Sequence, residues 1–293
     1  MALASRFSAR IARTMSPALC AVAQITSTAA VADNLSACLS LTAQAAARGA
    51  QMIFFPEATD FIGQSKEQTL ELTESLEGNF VSTLKKAAQE HNIFISVGVH
   101  EKSKDDAKRI FNSHLVIDRG GTLVGLYRKI HLFDVDIADG PKLLESASTI
   151  PGSEVVAPVT TPIGRVGLSV CYDLRFPEQS LLLRRMGAQI LTYPSAFTVK
   201  TGLAHWEILL RARAIETQSF VVAAAQTGWH NAKRESFGHA MIVDPWGTIV
   251  AQCGEQSQQL GFAEIDLGSL DKIRTEMPVE NHRRSDVYRL DLV

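Results

Sequence analysis

Cysteine is scarce and scattered in this chain. Its 293 residues include four, Cys20, Cys38, Cys171 and Cys253, with no Cys-x-x-Cys pair and no Cys/His spacing of the kind that holds a metal. A disulfide framework does not fit that distribution, whereas a reducing compartment does. No apolar run approaches the roughly 20 residues that a membrane-spanning helix needs. Charge of either sign is not in excess, 29 Lys and Arg against 31 Asp and Glu, and beyond the N-terminus there is no basic stripe to suggest a nucleic-acid partner. No low-complexity linker divides the chain. Acidic residues are missing before Asp33, and Leu3, Phe7 and Ile11 share one helical face while Arg6, Arg10 and Arg13 lie near another. That composition suits a mitochondrial presequence over residues 1–15, or a disordered basic tail. Met15 offers a second start, so the expected location is cytoplasmic, mitochondrial or both.

With 46% hydrophobic and 20% charged residues, positions 18–290 can bury the core of one α/β domain. Three short apolar runs each end on a reactive group: Met52 to Pro56 on Glu57, Leu123 to Arg128 on Lys129, and Val166 to Val170 on Cys171. Such runs, bounded by Gly or Pro, read as buried strands, and open α/β sheets place their chemistry at the carboxyl ends of strands. A carboxylate, an ammonium and a thiol are therefore offered to one site.

A free thiol of pKa about 8.5 needs a base or a nearby cation to act as a nucleophile at neutral pH. Moving its proton to an ordinary Glu costs about 6 kcal/mol. Burial is expected to raise the pKa of Glu57 and the ammonium to lower that of Cys171, so that the gap narrows. The same ammonium suits the oxyanion that forms when sulfur attacks a carbonyl or nitrile carbon. Acyl transfer through a thioester is the chemistry this set can perform, with no metal or cofactor.

Phe55-Pro56-Glu57, Tyr127-Arg128-Lys129-Ile130-His131-Leu132 and Cys171-Tyr172-Asp173-Leu174-Arg175-Phe176-Pro177-Glu178 resemble, in order, the three signature blocks of the nitrilase superfamily. The resemblance runs from about Ala18 to about Leu290 and implies an αββα sandwich. It also implies a Glu57 general base, a Lys129 that stabilises the tetrahedral intermediate and donates a proton, and a Cys171 nucleophile. Glu145 matches a second glutamate that helps hold the site in many members.

An internal echo points the same way. Gly49 to Pro56 and Gly187 to Pro194 share one plan, a helix stopped by Gly and then a strand running to Pro, which suggests an approximate internal twofold with two sheets face to face. Strands are expected at Leu19–Ile25, at 93–100 and 110–117, and later at 220–226, 238–243, 248–252 and 260–265. A helix capped by Asp33 or Asn34 should present Leu35, Cys38, Leu39, Thr42 and Ala46. Further helices are expected over 79–91 and 203–217, and loops over 130–162.

Around the site, Asp173 is expected to hold the turn at Cys171, and the Tyr172 N–H to face an oxyanion. His131 reads as a structural histidine, with the base of a Cys-His pair as the alternative. Arg175 suits either a substrate carboxylate or an ion pair with Glu178 or Asp173. Phe197, Thr198 and Thr201 follow the second echoed strand and are expected to shape the pocket.

The runs Tyr193 to Phe197, Gly202 to Glu207, Arg211 to Glu216 and Asp244 to Gly247 resemble the Nit branch. That likeness implies a small amide substrate bearing carboxylates. Deaminated glutathione, cleaved to 2-oxoglutarate and cysteinylglycine, is the first expectation; 2-oxoglutaramate and a non-catalytic scaffold or signalling role are the alternatives. Family members pack helices near the nucleophile between subunits, so a homodimer or larger homo-oligomer is expected.

Overall fold

The computed structural model describes residues 17–136 and 142–290; the presequence or tail read over 1–15 lies outside them. Two sheets carry the architecture. The first has three parallel strands, β1 (Ala18–Ile25), β2 (Met52–Phe54) and β3 (Phe94–Lys102), extended antiparallel by β4 (Ile110–Ile117) and β5 (Leu123–Arg128). A two-stranded ladder of β6 (Asp134–Asp136) and β7 (Lys142–Leu144) follows. The second sheet repeats the plan of the first. Its parallel strands are β9 (Gly164–Leu168), β10 (Ile190–Thr192) and β11 (Phe220–Ala223), extended antiparallel by β14 (Met241–Val243) and β15 (Ile249–Gln252). Even the far edges match, since β16 (Gln259–Ile265) runs antiparallel to β1 as β8 (Val159–Thr161) does to β9. The hairpin β12 (Ala225–Asn231) and β13 (Arg234–Phe237) joins the end of β1 through Gln24 and Ile25.

The echo is thus a structural repeat. Gly49 and Gly187 both take positive φ, +83° and +95°, a conformation open to glycine that ends each helix and starts the strand leading to Pro56 or Pro194. Between the sheets, Cys20, Val22, Met52, Phe54, Val116 and Tyr127 share one apolar layer with residues such as Leu168 and Ile190. Outside the first sheet lie α1 (Val31–Ala47) and α3 (Asn79–Glu90), whose Leu35, Leu41, Phe80 and Leu84 pack on Ile53, Ile95 and Val97. Outside the second lie α4 (Pro177–Arg185) and α5 (Val199–Thr217), which bury Leu183, Trp206 and Leu210. This is the αββα sandwich, two helix layers enclosing two sheets. Full burial of each of these large side chains contributes about 1.5–3 kcal/mol. The helix α6 (Leu267–Glu276) follows β16, and α2 (Lys66–Leu72) is a short surface helix.

Several local expectations are corrected. α1 starts earlier than Asp33, and Asn34 does not cap it. Its side chain instead donates to the carbonyls of Thr28 (2.8 Å) and Asp60 (2.9 Å), tying α1 to the loop that follows β2. The apolar run 220–226 is two strands, because the chain leaves the second sheet at Ala223 and joins the first at Ala225. β13 and α2 went unread, since Arg234-Glu235-Ser236-Phe237 carries little apolar alternation and α2 buries no residue.

One link across the sandwich sets an acid sensitivity. His114 is wholly buried, with Nε2 2.7 Å from Ser96 Oγ and Nδ1 3.0 Å from the Ser169 carbonyl. Burial pushes its pKa down to about 4, and burial does the same at His230. Both imidazoles stay neutral in the folded chain down to about that pH, whereas unfolding lets them protonate near 6.5. The unfolded state therefore binds more protons between pH 6.5 and 4, and stability falls as pH drops through that window. Urea midpoints should decline from pH 7 to pH 4.5, with a shallower decline in His114→Gln. An equal slope in the variant would refute His114 as a source.

Candidate active site

The first group arrives at the end of β2. After Pro56 the backbone makes a tight turn in which Ala58 takes φ +52°, held by the Gly98 N–H to the Pro56 carbonyl (3.0 Å) and the Thr59 N–H to the Gly98 carbonyl (2.9 Å). Position 98 must be glycine for this approach: a Cβ there would lie 2.7 Å from both Glu57 Cα and the Pro56 oxygen. From the other half of the molecule, Gln226 Nε2 donates to the carbonyls of Glu57 (3.0 Å) and Ala58 (3.2 Å).

Glu57 is buried and each of its oxygens has a donor. Asn112 Nδ2 (2.7 Å) and Lys129 Nζ (3.2 Å) reach Oε1, while the Ala196 N–H reaches Oε2 at 3.0 Å. Lys129 stands one residue beyond β5, its side chain 2% exposed. Its Nζ also meets both oxygens of Glu145, at 3.1 and 2.8 Å. Glu145 opens a short 3-10 turn, and the Phe133 N–H donates to it at 2.7 Å. Asn112 closes the arrangement, because its amide donates to Glu145 as well (3.1 Å). One ammonium and one amide therefore link two carboxylates.

Cys171 follows β9 at the start of the 3-10 turn Cys171–Arg175, which leads into α4 with Pro177 at its first position. Its φ of +47° is unusual for a residue with a side chain, and strain of that kind persists only where the surroundings impose it. Those surroundings are on both sides of the turn. The Cys171 N–H donates to the Pro194 carbonyl (3.0 Å) and the Val170 N–H to Asp173 Oδ2 (2.8 Å). Arg213 of α5 donates twice to the Leu174 carbonyl, at 3.0 and 2.7 Å. Asp173 also accepts from Tyr127 Oη (2.7 Å) and sits 2.8 Å from His131 Nδ1, so it ties the cysteine turn to the chain on either side of Lys129. His131 is engaged there and stacked on Phe176 at 3.7 Å, in agreement with the structural reading.

The Cys171 thiol lies beside the Glu57 carboxylate and the Ala196 N–H that holds it. Burial and then the charge of Glu57 push the Cys171 pKa up, more than Lys129 pulls it down. For Glu57, burial acts upward, but Lys129, the thiol and Asn112 together outweigh it and the pKa is lowered. Burial likewise opposes the charge on Lys129, yet Glu145 and Glu57 hold its pKa well above the ordinary lysine value. The expected narrowing of the gap is therefore corrected for the resting state. A thiolate added beside two carboxylates and one ammonium is unfavourable, so the resting site is a neutral thiol against an ionised Glu57. The arrangement can still pass the proton from sulfur to Glu57 without changing its total charge.

The other anticipated residues gather beside the thiol turn. Arg175 lies over the rings of Tyr172 (5.7 Å) and Phe197 (5.5 Å), with Nη1 3.1 Å from His205 Nδ1. Neither Glu178 nor Asp173 pairs with it, and it has no carboxylate partner among the described residues. Thr198 and Thr201 bond each other at 2.9 Å at the start of α5. Cys20, Cys38 and Cys253 are buried apolar residues. Sequence reasoning missed Asn112, Gln226 and the Ala196 N–H. For Asn112 a signal was present, a polar residue in an otherwise apolar strand, which must find partners once buried.

Two sheets of one plan, with a carboxylate, an ammonium and a thiol at the carboxyl ends of their strands, define a hydrolase-type α/β sandwich. The chain belongs to the carbon-nitrogen hydrolase family, whose model matches residues 19–275. It is 50% identical over 273 residues to the deaminated glutathione amidase of Homo sapiens, covering 92% of this chain and 83% of that one. It is also 51% identical to the nitrilase and fragile histidine triad fusion protein NitFhit of Drosophila melanogaster, covering 92% of this chain and 58% of the relative's length. The solved structure of the C. elegans NitFhit protein superposes with a TM-score of 0.90 at 49% identity, over 94% of this chain and 66% of that one. This chain thus spans less than two thirds of either fusion protein.

Proposed function

We propose that this protein is an amidase that cleaves deaminated glutathione to 2-oxoglutarate and cysteinylglycine. The observation that carries the reading is the hydrogen-bonded cluster of Glu57, Lys129 and Glu145 with the Cys171 thiol beside it. Glu57 takes the thiol proton as sulfur bonds to the amide carbon, and Lys129 with the Tyr172 N–H stabilises the oxyanion. The intermediate collapses with cleavage of the carbon–nitrogen bond as Glu57 returns that proton to the departing amine. Water then gives a proton to Glu57 and attacks the thioester, and the proton passes to sulfur as the carbon–sulfur bond breaks. Glu145 and Asn112 fix Lys129 and Glu57 throughout, and no step calls for a metal or cofactor.

The finer choice of substrate is supported by the relatives named for deaminated glutathione and by Arg175, a guanidinium beside the thiol turn suited to a substrate carboxylate. Hydrolysis of 2-oxoglutaramate is the neighbouring activity. Measuring kcat/KM on both amides, with mass analysis of quenched mixtures for an acyl group on the Cys171 peptide, tests the reading. The expected outcome is faster turnover of deaminated glutathione and a modified Cys171 peptide; preference for 2-oxoglutaramate would assign the other substrate. A purely scaffolding role is disfavoured by retention of the whole ionisable cluster in a buried setting. Self-association is proposed through the exposed apolar residues of α5, Leu203 (72% exposed), Ile208 (68%) and Ile215, the last lying against Gly247 next to exposed Trp246. Residence in the cytoplasm, the mitochondrion or both is proposed from the basic first fifteen residues.

A further inference from the structure

We propose that Arg234 binds a carboxylate carried on the amine side of the scissile amide, so that the site selects amides with an anionic group on each side of the bond. The inference rests on the reading of Cys171 as the nucleophile and Glu57 as its proton carrier.

Arg234 opens β13, closing a tight turn opposite Asn231. That strand is laid along the pocket-side segment after β10, since the Phe237 N–H donates to the Phe197 carbonyl (2.9 Å) and Ser236 bridges to Thr198. Strand alternation puts Arg234 on the same face as Ser236, which turns inward to meet His230 Nε2 at 2.8 Å. The charge is felt there: it lowers the pKa of both His230 and Glu57. The segment that β13 borders is also the one whose Ala196 N–H holds Glu57 Oε2 at 3.0 Å, which sets Arg234 on a strand beside the carboxylate's own support. Arg234 is nonetheless exposed and has no carboxylate partner among the described residues.

Two cations without carboxylate partners therefore stand at different walls. Arg175 belongs to the thiol turn, where the acyl portion stays attached after the first half-reaction. Arg234 belongs to the strand that borders the segment holding Glu57, the group that hands a proton to the departing amine, and so serves the leaving fragment. Deaminated glutathione carries one carboxylate on each side of its scissile bond, whereas 2-oxoglutaramate has one on the acyl side alone.

The test is steady-state kinetics of Arg234→Gln and Arg234→Lys on these two amides. A lost charge-assisted hydrogen bond corresponds to about 10- to 100-fold. KM for deaminated glutathione should rise by that factor in Arg234→Gln, the selectivity between the two amides should fall with it, and Arg234→Lys should recover part of the loss. Equal losses on both amides, the mark of a merely structural residue, would overturn the proposal, as would selectivity within twofold of the parent. A parent protein inert toward every amide would instead bring down the underlying reading, and this one with it.

Discussion

Cys171→Ala should yield a folded protein with amide turnover reduced by at least about 10⁴-fold. On the proposed thioester mechanism, removing the nucleophile removes the acyl intermediate itself, and the remaining oxyanion donors supply only residual rate enhancement. The fold should survive, because the interactions that shape the turn do not run through sulfur. They come from the Cys171 N–H to Pro194, the Val170 N–H to Asp173 and Arg213 to Leu174, all of which alanine leaves in place. Circular dichroism and the thermal midpoint should match the parent to within a few degrees while kcat collapses. Undiminished hydrolysis by the variant would end the thioester mechanism.

The second large effect belongs to Lys129→Met. Its ammonium is the cation that directly contacts both Glu57 and Glu145, and removal leaves two neighbouring carboxylates without it in a buried site. Breaking a buried pair in this way costs about 3–5 kcal/mol, and loss of an oxyanion stabiliser costs about 10²- to 10³-fold in rate. The pH dependence separates this from a simple packing defect. In the parent, Glu57 has a lowered pKa, so its contribution to stability is present above the unfolded carboxylate value and is lost as pH falls through the folded value. Without Lys129 burial dominates and the pKa rises above the unfolded value; the carboxyl then favours the folded state only at low pH. The stability gap between parent and variant, read from urea midpoints, should therefore narrow on acidification. A gap that stays constant from pH 8 to pH 4.5 would show that the charge balance is not what Lys129 provides.

Much of this could be read before the fold was known, and the remainder has definable causes. Glu57, Lys129 and Cys171 were legible because each ends a short apolar run, and strand ends are local features. The repeat was legible because Gly49 and Gly187 mark equivalent helix ends. What local patterns do not contain is the outcome of convergence. Burial of Glu57 pointed to a raised pKa, but the sum over Lys129, Cys171 and Asn112, drawn from distant positions, reverses the sign. The run at 220–226 looked like a single strand because nothing in its alternation marks Ala224 as the point where the backbone changes sheets. Gln226 lies just past that crossing, and only the crossing brings it to the Glu57 carbonyl.

The repeated architecture also divides the proposed catalytic groups unevenly. Glu57, Asn112, Lys129 and Glu145 precede β8, whereas Cys171, the Ala196 N–H and Gln226 follow it. The proposed base and nucleophile thus come from opposite sides of a pseudo-symmetric seam, and each of the matching loops holds a different part of the site. A chain cut within 150–158 would leave one product with the acid–base groups but without Cys171, and another with that thiol and no acceptor for its proton. Hydrolysis is a property of the joined whole, which a half-length catalyst could not inherit.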